Sequence, residues 1–240
     1  MARSPLPPPP QDPSKGGASG GDPAAPDDTA LRVQILATEH WSLLASRSTT
    51  QSEVLTRIAM FLTFVSASLL SLALVGNATQ FTGNFTLYAV AILSIAVIIG
   101  VLTQFRVGNA SMEDLMYVLA MNRLRAEYAR LVPGVERGFM SSLHDDRAGS
   151  EHTYYFLEPH GRRTHVAGSS FVFIIAVNSV LFGLLTATIV VIAGGMTLAA
   201  VIVGLVAALG FFAVSVWFSA RPYFAAWKGH VPLSPTPPAD

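Results

Sequence analysis

Every charged side chain of this chain lies outside four long apolar stretches. They cover residues 58–75, 85–105, 171–193 and 196–219, and none contains Asp, Glu, Lys, Arg or His. Each is about as long as a helix must be to cross a bilayer core of ~30 Å. The connections at 76–84 and 194–195 carry no charge either. All basic residues therefore fall in the N-terminal region, the segment between the second and third stretches, and the C-terminal tail. An excess of Lys and Arg marks the cytoplasmic side of a membrane protein. The expected fold is all-α and polytopic: four transmembrane helices as two hairpins, with juxtamembrane cytoplasmic helices. Both termini are expected in the cytoplasm and the chain in the cytoplasmic (inner) membrane.

Composition narrows the function classes. At 51% hydrophobic and 12% charged residues, the chain is too apolar for an ordinary soluble domain. Net charge is zero, and the acidic residues share a side with the basic ones, so no strongly polybasic lipid-binding surface is expected. No basic stripe with interleaved stacking residues is present, which argues against nucleic acid. The chain has no cysteine, which excludes disulfides, thiolate catalysis and Cys-ligated zinc. The first residues lack the apolar core of a cleavable signal, so the first span is expected to direct insertion. Arg far outnumbers Lys beside much Ala, Gly and Pro, a bias that points to a bacterial source.

Residues 1–28 hold eight of the fifteen prolines and read as a disordered tail, because such a segment cannot bury enough apolar surface to offset ordering entropy. Residues 29–49 read as an amphipathic helix, with Val33, Leu36, His40, Leu43, Leu44 and Arg47 on one face. Thr50 and Glu53 then have capping-box spacing, so a new helix is expected there, leading into the first hairpin, 50–106. The segment 107–168 opens with a helix over 111–132, whose stripe is Tyr117, Met121, Leu124, Tyr128 and Leu131. The second span is expected to continue into it as a stalk, and Pro133-Gly134 should end it. Residues 139–169 show no periodicity. The second hairpin is expected over 169–221 and a cytoplasmic tail over 222–240, disordered from Pro232.

Two sets of small residues point to close helix contacts, although the hydroxyls of the first set could instead line a pore. One is Ala59, Thr63, Ser66, Leu70, Ala73 and Asn77 on the first span; the other is Ala200, Gly204 and Ala208 on the fourth. Gly194-Gly195 leaves almost no loop, so the second hairpin should be tight. Trp217, Phe218, Tyr223, Phe224 and Trp227 form an aromatic interfacial belt.

Candidate chemistry is sparse. His144, Asp145 and Asp146, with His152, His160 and His165 downstream, suit a divalent metal by residue type, but their spacing matches no standard site. A turn with capping or salt-bridging carboxylates is the simpler reading, and no metal or cofactor is expected. Glu39 and His40 are neighbours, so on a helix they point about 100° apart and make a poor acid–base pair. Trp41 reads as an interfacial or packing anchor. His40, Trp41, Tyr117, Met121, Leu124 and Tyr128 are the candidate interaction residues; Ala200, Gly204 and Ala208 are the candidate helix-packing residues.

The runs Glu39–Ala45 (EHWSLLA), Met121–Arg125 (MNRLR) and His144-Asp145-Asp146, set around two membrane hairpins, resemble a group of uncharacterised actinobacterial four-span integral membrane proteins. The resemblance covers about residues 31–220; it implies the topology and origin and no activity. The expected function is that of a non-enzymatic, oligomeric scaffold or regulatory protein, partnered by the lipid bilayer and by a second copy or another membrane protein. An oligomeric channel or transporter is the alternative, and a metal-dependent membrane enzyme using the His144–Asp146 region a second one. Against transport, the spans lack the charges that commonly mark ion and proton pathways.

Overall fold

The computed structural model describes residues 26–82, 84–155 and 168–238. Over these residues the chain is all-α. Its helices are α1 (Pro26–Ala78), α2 (Phe85–Leu131), a short 3₁₀ turn (Val135–Gly138), α3 (Arg147–Tyr154), α4 (Ser170–Ile192) and α5 (Thr197–Gly229). All but α3 and the 3₁₀ turn are long and apolar enough to cross a membrane, and the four spanning helices form two hairpins, α1–α2 and α4–α5. The Pro/Gly-rich segment 1–25, and His160 and His165 within 156–167, lie outside the described residues.

The helix predicted over 29–49 and the first span are one helix, starting at Pro26. No helix begins at Thr50. Residues 27–75 contain neither Gly nor Pro, so nothing breaks the ladder, and capping-box spacing alone does not start a helix. Thr50 faces inward, and Glu53 pairs with Arg57 and Arg106 instead. The first span therefore continues, on its N-terminal side, into a stalk of about 48 Å beyond the apolar region, at 1.5 Å per residue. As expected from the sequence, α2 likewise runs unbroken from the second span into its own extension.

Two faces of α1 behave differently. The inner one, through Val33, Leu36, His40, Leu43, Arg47 and Thr50 and on to Val54, Ile58, Phe61 and Val65, is buried or half-buried. Leu44 lies off this face, 40% exposed. The set Ala59, Thr63, Ser66, Leu70, Ala73 and Asn77 is exposed along its whole length, so it makes no helix contact among the described residues. Phe61, 2% exposed, and Val65 take that place. Bulky groups fill the space between α1 and α2, and the small residues point outward.

Helix α2 is central, packed on α1 by one side and α4 by the other; α5 packs on α4. The α1–α2 connection turns through left-handed Gln80 and Phe81 (φ 51° and 55°), and the Phe81 ring lies against Gly76, where a Cβ would collide with it. Ser71 and Tyr88 share a 2.6 Å hydrogen bond at this end. Within the membrane, fully buried Asn178 of α4 donates to Gln104 of α2 at 3.0 Å, a bond worth about 0.6–2 kcal/mol in lipid. Its carbonyl oxygen sits directly over Gly100, leaving no room for a side chain there.

The second hairpin is tight, closed by Gly194 at φ 83° with Gly194 and Gly195 amides on the Val191 and Val190 carbonyls, both 3.0 Å. A Cβ at Gly204 would stand 2.8 Å from the Gly183 carbonyl oxygen and 2.9 Å from Ala187 Cβ. Ala200 is 2% exposed, Gly204 is buried and Ala208 half-buried. Gly183 and Ala187 are the facing small residues on α4. Helix α5 does not stop at 221: it passes through Pro222 to Gly229, so the tail assigned to 222–240 is helical over its first eight residues. Arg221 stacks over the Trp217 ring at 3.6 Å to the centroid.

Candidate functional site

The polar side chains gather at the charged end of the molecule, where the extensions of α1 and α2, the loop after α2, α3 and the C-terminal segment meet. Three buried or half-buried groups organise it. The first is Asp114 of α2. Arg47 donates to both its oxygens, at 2.6 and 3.2 Å, Gln51 donates at 3.1 Å and the Tyr154 hydroxyl at 2.7 Å. Bidentate Arg–carboxylate pairing fixes geometry as well as charge. The sequence placed Arg47 on the apolar face of α1; Asp114 is the partner that makes that position tolerable. Burial first, then the Asp114 charge, pushes the Tyr154 phenol well above its ordinary pKa, so it stays a hydrogen-bond donor.

The second is Asn122, fully buried on α2. Its amide donates to the His144 carbonyl at 2.8 Å, and its oxygen accepts from Arg125 at 2.8 Å and Thr153 at 3.0 Å. These bonds seat the loop and α3 against α2. Sequence periodicity missed α3 altogether. It is eight residues long and depends on this anchor and on Asp146, which caps it by accepting from the Gly149 amide at 2.7 Å.

The third is Asp145, 0% exposed. It accepts from Arg123 Nε at 2.5 Å and from the backbone amides of Leu233 and Ser234 at 3.1 and 2.8 Å. His230 Nε2 is 2.6 Å from the Asp145 carbonyl oxygen, which fixes that nitrogen as the donor. Neighbouring Asp146 takes the Thr236 amide at 2.7 Å and hydroxyl at 2.8 Å. The segment from Pro232, expected from its composition to be disordered, is therefore held as far as Thr236. The predicted adjacent carboxylates are the clasp, and they engage backbone donors far along the chain.

Burial alone would push the Asp145 and Asp146 carboxyls up. The donors of Ser234, Arg123 and Leu233 at the first, and of Gly149 and Thr236 at the second, outweigh it, and both lie below the ordinary aspartate range. A depressed folded-state pKa stabilises at every pH above the unfolded value, about 3.9, and the gain vanishes as pH falls through the lower folded value. Hydrogen-exchange protection of the Leu233 and Ser234 amides, corrected for intrinsic rate, is thus expected to stay constant from pH 8 to 5. It should collapse only below about pH 4; collapse near neutral pH would show that these carboxylates do not hold the segment.

The other candidate residues occupy the α1–α2 contact. His40 and Tyr128 rings lie 6.3 Å apart, and burial, then the Arg125 charge, lowers the His40 pKa below its ordinary value. Met121 is 3% exposed; Tyr117, Leu124 and Tyr128 are half-buried. Leu124 and Leu43 line one groove of about 380 Å³ with Glu39, Met116, Arg123 and His230. Leu124 and Tyr128 of the α2 stripe thus lie beside Leu43 and His40 of α1 in the same chain. Trp41 is not part of this contact and is 70% exposed. Among the described residues, no three His, Asp or Glu side chains converge as a metal site; His152 is exposed.

No protein-family model, curated protein or solved structure matches the chain.

Proposed function

We propose that this chain is a non-enzymatic, oligomeric scaffold or regulatory protein of the cytoplasmic membrane, with both termini and the charged bundle in the cytoplasm. One observation carries the reading: α1 and α2 each pass without a break from an apolar span into the charged bundle. A partner bound at the bundle is therefore coupled to the membrane hairpin through continuous helix. The polar groups that organise the bundle, Asp114, Asn122 and Asp145, are each engaged several times over within the chain, which favours a braced platform over a reacting centre. The most apolar window of each span is only 17–33% buried within one chain, and that leaves ample surface for lipid and for protein neighbours.

The experiment is mass determination in mild detergent with identification of co-purifying proteins. More than one copy, or a stoichiometric membrane partner, is expected; a lone monomer would overturn the reading. Orientation is tested separately. A reporter fused after Asn84 is expected outside the cell and one after Gly149 inside, since every basic residue lies on the Gly149 side of the spans. Cytoplasmic signal at Asn84 would invert the arrangement.

A further inference from the structure

We propose that the outer face of α1 is the surface on which two copies of this chain meet, as a parallel helix pair running from the bundle into the membrane. This rests on the oligomeric reading above and names its surface. Counting back from Ala59 by alternate threes and fours gives Thr56, Ser52, Thr49, Ala45, Ser42 and Thr38, then Ile35 and Leu31. Counting forward gives the exposed positions Thr63 to Asn77 already described. Every position is exposed and none is charged. The repeat of 3.5 residues is that of a left-handed coiled-coil seam, and it holds for about 70 Å of helix.

Three further observations show that this face is built for burial. Leu31, Ile35, Trp41 and Leu55 lie on it or beside it and are 55%, 59%, 70% and 60% exposed, although all precede the apolar span. Lipid cannot cover the far end of the stalk, and large apolar groups left in water there are a liability. Second, Thr38, Thr49, Thr56 and Thr63 each donate their hydroxyl to their own helix, onto the carbonyls of Gln34, Ala45, Ser52 and Ala59 at 2.9–3.0 Å. Their donors are already satisfied, so covering these four threonines strands no hydroxyl hydrogen. Third, the opposite face of α1 is already used against α2, so this one has no partner within the described residues.

A second copy is the occupant that fits. Whatever covers the face must be a long helix that is apolar in the membrane and continues beyond it in the same direction. Two chains inserted with one topology bring their α1 helices together parallel. In that register the flanking residues meet without a like-charge pair: Gln34 faces the partner's Glu39, Trp41 the partner's Ser46, Ser48 the partner's Glu53, and Leu55 the partner's Met60. The bulkiest of these exposed side chains is thus set against a small one.

The chain has no cysteine, so single cysteines report one position at a time. Ala45→Cys, Thr49→Cys, Ser52→Cys and Thr56→Cys, oxidised in native membranes, are expected to form dimers. The control is Met116→Cys on α2, itself 60% exposed. Crosslinking should be about tenfold greater at the four α1 positions, because a disulfide forms only where Cα atoms come within about 7 Å. Equal crosslinking at Met116→Cys, none at the α1 positions, or capture there of a different protein would overturn the proposal. If mild-detergent mass shows an oligomer while these cysteines stay unlinked, only this surface is wrong. A monomer by mass overturns the surface and the oligomeric reading together.

Discussion

Asp145→Ala is expected to release the C-terminal segment, raising the cleavage rate of residues 230–238 by an added exopeptidase about a hundredfold. The carboxylate accepts from the Arg123 guanidinium and two backbone amides while fully buried. Hydrogen bonds to a charged group contribute about 1.5–3 kcal/mol each, and leaving several donors without an acceptor costs at least one such bond. A loss near 3 kcal/mol is about two powers of ten in the open population. Helix α5 otherwise leans almost wholly on α4, so the clasp is the main tie between the end of the second hairpin and the bundle. Asp146→Ala should have a smaller effect on the tail, since Thr236 is its hold there, together with about 1 kcal/mol from the lost cap of α3. An unchanged cleavage rate in Asp145→Ala would mean that the tail is held by something other than this carboxylate.

Gly204→Leu is expected to lower the melting temperature of the detergent-solubilised protein sharply. The hydrogen of Gly204 faces the Gly183 carbonyl oxygen, and any Cβ there would be 2.8 Å from it. Backbone cannot yield as a flexible side chain does, so α4 and α5 must separate. Overpacking of this kind costs about 1–3 kcal/mol, and here it also opens contacts along the whole helix pair, since association in lipid depends on close packing. Gly210→Leu is the matched control: it lies on the same helix, is exposed, and a Cβ there meets nothing within 4 Å. Equal melting of the two variants would remove Gly204 as the point of closest approach.

Much of the architecture was legible residue by residue. The four spans were visible because each is an apolar run uninterrupted by charge, and the continuation of α2 because nothing after Phe105 breaks a helix before Pro133. Ala200, Gly204 and Ala208 were identifiable because small residues at this spacing let helix backbones approach closely, although the same signal from Ala59 to Asn77 lies on an exposed face of α1. What the sequence did not reveal were their partners, Gly183 and Ala187, which lie on another helix. The capping-box spacing at Thr50 misled for a definite reason: it can begin a helix but cannot end one, and α1 contains no breaker. The inner face of α1 within the membrane was equally hidden. Lipid is as apolar as a helix neighbour, so hydrophobicity does not say whether Phe61 or Leu70 points inward.

The site divides along the same line. Residue type and periodicity alone assigned the α2 stripe and the carboxylate turn at Asp145-Asp146, because those signals are local. Tertiary structure alone decided that Arg47 meets Asp114, that Asn122 seats α3, and that the Pro-rich segment after Gly229 is ordered rather than free. These pairings join residues 67, 31 and 89 positions apart. A short polar segment has no periodicity to betray its fold. It is ordered by buried acceptors supplied from elsewhere, and only the packed chain brings those acceptors within hydrogen-bonding distance.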